Sequence, residues 1–430
     1  MSEIKIFKFG GASVGSVDGF RNVGKIIMQF TDKPIVIVIS ALGKTTNALE
    51  SVVKDYFAVN GQAKVKLNEI KEHHYTIIDA LGLGESGCKE AIHDICVEVE
   101  WILDDEPNQE YDFIYDQIVS AGEMMSSKIL YYHLKSLNAH PEWQDIRDVI
   151  ITDNTFRDAR VDWNTTTVNA QNKLLPQLQN GALIITQGFI GSTTENETTT
   201  LGREGSDYTA AILSYCLNAN SMHIWKDVPG VLTGDPKLFD EVTKIPRLSY
   251  REATEMTYYG AKVIHPKTIK PLQNKQIPLY VRPFGEPTSE GTIIADLQDI
   301  AYPPIIVIEP QQCLIHISTR DFSFVAEHHL SAIFALLAKH RLKVNMMRNT
   351  AISFTVCVNQ VPERIKRFED EIQIDFKTLR DEELELITIR HYSIDLLKDM
   401  KKNKLILFEE KLSDTVQMVV KPIQSMKRKH

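Results

Sequence analysis

A short apolar run interrupted by Lys5 and Lys8 spans residues 4–9 and then gives way to a glycine pair. Such a run, bounded by turn residues, predicts a strand. Five more short apolar runs read the same way, at residues 35–40, 149–152, 183–187, 222–225 and 279–282. Between the first two, Val23, Ile26, Ile27 and Phe30 recur at helical spacing. Short strands joined by helices imply an α/β fold, an αβα sandwich whose central sheet is mainly parallel and covered on both faces. Residues 60–137 read as mostly helical, with Ile95, Cys96, Val99 and Ile102 on one apolar face. That stretch is either an insertion capping the sheet or part of its covering layer.

The pattern changes after Tyr302-Pro303-Pro304. Residues 313–318 alternate as a strand. Residues 329–340 form a helix pattern, with Leu330, Ile333, Phe334 and Leu337 on one face. Strands follow at 343–347 and 352–358, then a charged helix at 363–372 and a strand at 384–390. This is the βαββαβ order of a ferredoxin-like α+β unit. Residues 405–420 read as a closing hairpin. The expected division is therefore 1–303 and 304–430.

The chain has 430 residues, 43% hydrophobic and 24% charged, an ordinary globular composition with material for more than one core. A net charge of -9 argues against general nucleic-acid binding. The basic ending Lys427-Arg428-Lys429-His430 reads as a solvated tail. Five cysteines, an odd number with no C-x-x-C pair, argue against structural disulfides or zinc and suit a reducing cytoplasm. Cys88 is either a reactive thiol or an inert one. No leader is expected, and the longest apolar run, 35–39, is too short to cross a bilayer.

Several segments carry candidate chemistry. After the first strand comes Lys8-Phe9-Gly10-Gly11-Ala12-Ser13, where backbone amides, two glycines and a lysine can meet a phosphate. It is not a P-loop, and a plain tight turn gives the same pattern. Gly43-Lys44-Thr45-Thr46-Asn47 follows the second strand and either holds a small anion or caps a helix. Glu123 in Gly122-Glu123-Met124 either meets an ammonium group or faces solvent. Gln187-Gly188-Phe189-Ile190-Gly191 and Gly202-Arg203-Glu204-Gly205-Ser206-Asp207 flank a helix start, where the dipole favours anions. Ser206 is the N-cap candidate there. Arg203 can fork onto a carboxylate or phosphate, and Asp207 can simply complement the dipole. The turn-rich stretch from Trp225 to Lys237 suits a nucleotide-binding loop. In Gly260-Ala261-Lys262-Val263-Ile264-His265-Pro266, Lys262 offers another cation, and His265 reads as structural.

Taken in order, these motifs resemble the amino-acid kinase family and, within it, the aspartate kinases. Lys8 to Ser13 is similar to K-F-G-G-[TS]-S, and Gly202 to Asp207 is similar to G-R-G-G-S-D. Asp227 to Pro236 is similar to D-V-x-G-[VIL]-x-[TS]-x-D-P, and Gly260 to Pro266 is similar to G-A-K-V-[LI]-H-P. The resemblance implies the amino-acid kinase fold and ATP-dependent phosphorylation of the side-chain carboxylate of L-aspartate. The product is 4-phospho-L-aspartate, early in lysine, threonine, methionine and isoleucine synthesis. It implies that Lys8 stabilises charge on the transferring phosphoryl group and that Asp207 orients Lys8. Gly10, Gly11 and Ser13 would hold the ATP phosphates, and Ser40, Thr45, Glu123, Phe189, Arg203 and Ser206 would line the aspartate side. Asp227, Leu232, Lys237 and Lys262 would serve the nucleotide. Mg²⁺ would be carried by ATP rather than by a fixed protein site. A carboxylate nucleophile is ionised at neutral pH, so no general base is required. The C-terminal part is similar to ACT domains, one full unit at about 311–380 plus a shortened second one. These would supply a homodimer contact and a possible amino-acid effector site.

The chain also departs from the family pattern. Ala12 replaces a common threonine, Glu204 the second glycine, Lys226 a Thr or Ser, Leu232 an aromatic and Lys237 an arginine. Asn345 stands where inhibitory lysine sites often have an aspartate, which puts lysine feedback in doubt. The rival readings are a catalytically weak amino-acid sensor and another amino-acid kinase, such as a glutamate kinase.

Overall fold

A computed structural model of the chain describes residues 3–30, 33–261, 264–320 and 323–423. It divides into two compact units. The first comprises Met1–Val231, Lys244–Thr257 and Lys262–Ile300; the second comprises Leu232–Thr243, Tyr258–Ala261 and Ala301–His430.

The strands of the first unit are β1 (Lys5–Phe9), β2 (Ile35–Ile39), β3 (Pro141–Gln144), β4 (Leu183–Gln187), β5 (Ile190–Ser192), β6 (Thr198–Thr200), β7 (Ser221–Lys226), β8 (Arg247–Ser249), β9 (Leu279–Pro283) and β10 (Thr292–Ala295). Eight form one sheet in the order β3-β4-β2-β1-β7-β9-β10-β8, while β5 and β6 pair separately. Every neighbour in the large sheet is parallel except β9 with β10. Every residue of β2 and β4 is buried, as central strands covered on both faces require.

The helical region contains Ala63–Ala80, Cys88–Asp104, Tyr111–Val119 and Ala121–Ser136. Ser126 in the last of these donates to Ser40 O at 2.6 Å, and Trp143 Nε1 and Gln187 Nε2 both donate to Ser127 Oγ. That helix therefore belongs to the layer covering the sheet. In Cys88–Asp104 the buried face runs through Ile92, Ile95, Cys96, Val99 and Leu103. Ile102 is only partly buried, because the 3.6-residue period carries the stripe from Val99 to Leu103.

The strand expected at 149–152 does not form. A 3₁₀ turn, Ile146–Asp148, is followed by two isolated bridges, Ile151 with Ser192 and Thr152 with Val161. Val149 and Ile150 are apolar because they are buried, not because they join a ladder. The edge strand is instead β3, whose sequence Pro-Glu-Trp-Gln has no apolar alternation and starts on a proline, as an edge position allows.

The second unit holds β11 (Ile305–Thr319), β12 (Val344–Asn349), β13 (Ser353–Asn359), β14 (Phe376–Arg390), β15 (Lys404–Lys411) and β16 (Thr415–Pro422). They form an antiparallel sheet in the order β12-β13-β11-β14-β16-β15. The first four, with helices Glu327–Lys339 and Pro362–Ile372, are the expected βαββαβ unit. The strand that closes it is the 376–381 part of β14, which pairs with 314–319; residues 384–390 pair with the start of β11. A register shift between Glu309 and Gln312 separates the two halves of β11. One half packs with Ile333, Leu337, Ile365 and Phe368, the other with Leu397, Val416 and Met418. The polar run from Lys377 to Glu383 hid the first half of β14, since much of it faces solvent. The division falls after Ile300 rather than at Pro303. Ile306 N–H donates to Thr233 O at 2.8 Å, which ties 232–243 to β11.

All five cysteines are free and buried. Burial pushes the Cys88 thiol up to about 12, so it is not a nucleophile at neutral pH.

Candidate active site

The site grows from the C-terminal ends of β1, β2 and β7. The parallel register sets Lys8 beside Ile224 and Phe9 beside Trp225. Side chains alternate along a strand, so Lys8, Ile224 and Lys226 share one face of the sheet. On the opposite face Phe9 stacks on Trp225 at 6.0 Å and 9° between planes, with Phe7 edge-on to both. That buried aromatic cluster fixes the strand that presents Lys8. Beyond β1, a Cβ on Gly11 would stand 3.0 Å from the carbonyl oxygens of both Ala41 and Gly43. A side chain there would press on both loops, which meet through Gly43 N–H donating to Gly11 O at 3.1 Å.

The helix Gly205–Cys216 covers this face and brings its N-terminus to the lysines. Asp207 Oδ1 is 2.5 Å from Lys8 Nζ, and its Oδ2 is 3.7 Å from Lys226 Nζ. Burial pushes the Asp207 carboxyl up, but the charges of Lys8 and Lys226 outweigh it and hold the group below the ordinary aspartate value. The N-cap is Glu204, not Ser206, which lies inside the first turn. Glu204 has φ +55, a left-handed conformation that costs a non-glycine residue about 1 kcal/mol. Its side chain is exposed, so the extra carboxylate stands at the rim and the amide-bearing turn keeps its shape.

Glu123 sits in the first turn of Ala121–Ser136 and is 3% exposed. Its Oε1 accepts from Ala41 N–H at 3.1 Å, while its buried Oε2 has no hydrogen-bond partner. Burial pushes its carboxyl up to about 8. A buried, half-satisfied carboxylate of this kind calls for a cationic donor.

These groups line one cavity of about 540 Å³. Of the residues expected at the site, Lys8, Gly11, Ser40, Glu123, Phe189, Arg203, Ser206 and Asp207 line it. A Cβ on Gly10 would lie 3.3 Å from Lys8 Nζ, and the Ser13 amide closes the turn onto Gly10 O. Thr45 is buried at the helix start, and its neighbour Thr46 faces the cavity instead. Asp227, Leu232 and Lys237 do not belong to the lining, and Lys262 lies outside the described residues. His265 is an N-cap whose Nδ1 accepts from Lys267 N–H, as a structural role requires.

Five lining residues were not among the expected site residues: Ala41, Tyr115, Arg157, Thr200 and Lys226. Arg157 has φ +69; its amide donates to the buried Asp116 carboxylate, its guanidinium packs over Tyr115 at 4.3 Å, and Nη1 pairs with Asp112. Only Lys226 carried a signal beforehand, its place one residue before Asp227 at the end of a strand.

A mainly parallel sheet with lysines, glycine amides and a helix N-terminus at its strand ends defines a phosphoryl-transfer protein of the α/β class. The family model described as "Amino acid kinase family" matches residues 3–283. The chain is 31% identical over 362 residues to lysine-sensitive aspartokinase 3 of Escherichia coli, covering 84% of this chain and 79% of that protein. It is 28% identical over 429 residues to the chloroplastic aspartokinase 3 of Arabidopsis thaliana, covering 94% and 73%. Among solved structures, E. coli aspartokinase III in complex with aspartate and ADP superposes with a TM-score of 0.82 at 26% identity, over 98% of this chain and 96% of that one. The same enzyme with lysine and aspartate gives the same values. The chain thus belongs to the amino acid kinase family, in its aspartokinase branch.

Proposed function

We propose that this chain transfers the γ-phosphoryl group of ATP to the side-chain carboxylate of L-aspartate, giving 4-phospho-L-aspartate and ADP. The observation that carries this reading is a single cavity in which the buried Lys8–Asp207 pair, the half-satisfied Glu123 and Arg203 all stand. Glu123 Oε2 takes the α-ammonium group of aspartate, and Arg203, which has no ion-pair partner among the described residues, takes a carboxylate. The side-chain carboxylate oxygen attacks γ-phosphorus, the bond to the β–γ bridging oxygen breaks, and ADP leaves with that electron pair. The nucleophile is already ionised, so the protein positions two anions and spreads charge, with Lys8 placed to meet the phosphoryl oxygens. The amides of Gly10 and Gly11 and the start of Gly205–Cys216 supply further donors. Asp227, Leu232, Lys237 and Lys262 serve the nucleotide on the strength of their motifs. Mg²⁺ enters as the ATP complex, a substrate held by phosphate oxygens.

The second unit is read as one full ACT domain at about 311–380 and a shortened one, with an amino-acid effector site and a homodimer contact. The homodimer contact rests on the resemblance to ACT domains. The product feeds lysine, threonine, methionine and isoleucine synthesis in the cytoplasm. No helix among the described residues is long and apolar enough to cross a membrane.

Incubation with ATP, Mg²⁺, aspartate and hydroxylamine tests the reaction, because an acyl phosphate is trapped as its hydroxamate. Folded protein that yields none overturns the kinase reading in favour of a sensor. A better signal from glutamate overturns the choice of acceptor.

A further inference from the structure

We propose that Asp116 is a positioning residue of this site, the buried anchor that sets the spacing between Glu123 and Arg203 and thereby the length of acceptor that fits. The inference rests on the reading of aspartate as acceptor and deepens it. Three observations carry it. First, Asp116 is fully buried in the helix Tyr111–Val119, and the donors to its carboxylate come from two segments of the cavity wall. Its Oδ2 accepts from Arg157 N–H at 2.9 Å and from Thr200 N–H at 2.7 Å, and its Oδ1 accepts from Thr200 Oγ1 at 2.7 Å. Arg157 and Thr200 both line the cavity. Burial pushes the Asp116 carboxyl up to about 6, against the pull of those donors, so at neutral pH it is mainly ionised and can only accept.

Second, the segments that Asp116 holds lead straight to Arg203. Ala159 N–H donates to Thr200 O at 3.0 Å, which ties the two segments to each other as well as to Asp116. A Cβ on Gly202 would stand 2.6 Å from Asp158 Oδ1 and 3.2 Å from Arg157 O, so the turn at 157–158 abuts the residue just before Arg203. Leu201 N–H donates to Phe189 O at 2.8 Å and joins that wall residue to the same framework. Third, the helix that carries Asp116 leads through Ser120 into Ala121–Ser136, whose first turn carries Glu123. One carboxylate therefore links the element proposed to hold the acceptor's ammonium group to the segment proposed to hold its carboxylate. Gln117 repeats the link, since its Nε2 donates to Thr198 O at 2.8 Å and its Oε1 accepts from Thr198 N–H at 3.2 Å. With the amino-acid end fixed between Glu123 and Arg203, the reach of the side chain toward Lys8 is set, and a chain longer by one methylene overshoots. Asp116 itself does not line the cavity and acts through these neighbours.

Calorimetric titration of wild type, Asp116→Ala, Asp116→Asn and Thr200→Val with aspartate, with glutamate and with ADP plus Mg²⁺ tests this apart from turnover. Asp116→Ala strands two buried backbone amides and is expected to weaken aspartate about tenfold while ADP stays within about twofold. The preference for aspartate over glutamate should fall at least about threefold, because a loosened Arg203 no longer measures chain length. Asp116→Asn should recover most of both losses, since its amide oxygen accepts the two N–H groups and its amide nitrogen meets the Thr200 hydroxyl. Thr200→Val removes only the hydroxyl contact and should weaken aspartate about threefold, again with ADP spared. Unchanged aspartate affinity with unchanged preference overturns the proposal, as do equal losses for aspartate, glutamate and ADP, the mark of a merely structural residue. Should Asp116→Ala fail to fold, the same criteria applied to Thr200→Val decide. Wild-type protein that binds aspartate yet forms no hydroxamate fails as an aspartate kinase, and the titrations still decide the role of Asp116.

Discussion

Asp207 and Lys8 form an ion pair at 2.5 Å in which the side chains are 4% and 10% exposed. The two residues come from a helix N-terminus and the strand beneath it, and both side chains are largely shielded from solvent. Such a pair is costly to break from one side, because the remaining charge stays buried. It holds the lysine ammonium at the point where β1 ends and the glycine turn begins.

Replacing Lys8 by alanine should therefore lower kcat by about 10²–10³-fold, the usual scale for a preorganised charge that acts on the transition state. The KM for aspartate should change by no more than about threefold, since in the proposed mechanism Glu123 and Arg203 hold the acceptor. Steady-state kinetics in the hydroxamate assay measure both. Equal losses in kcat and in aspartate affinity would remove Lys8 from the reacting centre and make it a binding residue.

Glu123 predicts a proton release. Burial raises its pKa to about 8, so the empty protein at pH 7 holds it mainly protonated. An ammonium group at Oε2 favours the ionised form and expels that proton. Calorimetry of aspartate binding at pH 7, repeated in buffers of different ionisation enthalpy, should report release of close to one proton per site. Affinity should rise as pH approaches 8 and level off above it, until the substrate ammonium itself titrates. Glu123→Gln should abolish the release and weaken aspartate by about 10- to 100-fold. Proton-neutral binding in the wild type would place the ammonium elsewhere.

Glu204 occupies a left-handed position at the cavity rim with its carboxylate exposed. Glu204→Gly removes both the backbone strain and a negative charge where two anions enter. Nucleotide affinity should improve by roughly twofold to fivefold at low salt, with the advantage fading as ionic strength rises. Stability should change by less than about 1 kcal/mol, because relief of strain is offset by the added chain entropy of glycine. A large loss of stability would show that the Glu204 side chain holds the turn together.

Asn345 bears on feedback by lysine. Its Nδ2 donates to Gln312 Oε1 at 2.9 Å and to Asn359 Oδ1 at 2.8 Å. Its Oδ1 is buried without a hydrogen bond. A neutral amide locked in this way offers no charge to an effector's side-chain ammonium. Added lysine at 1 mM, on the order of the substrate levels enzymes meet, should leave most of the activity. Strong inhibition below that concentration would mean that another group receives the ammonium.

Much of the fold was legible because its signals are local. The apolar runs of β1, β2 and β4 read as strands before any contact was known, since strands buried in a sheet leave little choice of side chain. The failures have the same cause in reverse. Val149 and Ile150 are buried without joining a ladder, and β3 joins a ladder while polar. Half of β14 was missed because its ladder partner secures it while its side chains face water.

By itself the sequence determined where the candidate groups stand locally: Lys8 before two glycines, Glu123 opening a helix, and Arg203 to Asp207 before another. Each needs only a few neighbouring residues to specify it, because amides, turns and helix starts are local objects. Tertiary structure alone decided which of them meet. The β1–β7 register set Lys226 on the face of Lys8, and helix packing put Asp207 between the two lysines. The same packing turned Thr46 rather than Thr45 to the cavity and brought Arg157 to its wall. Those relations join residues far apart in the chain, and burial of the sheet against its helices fixes them.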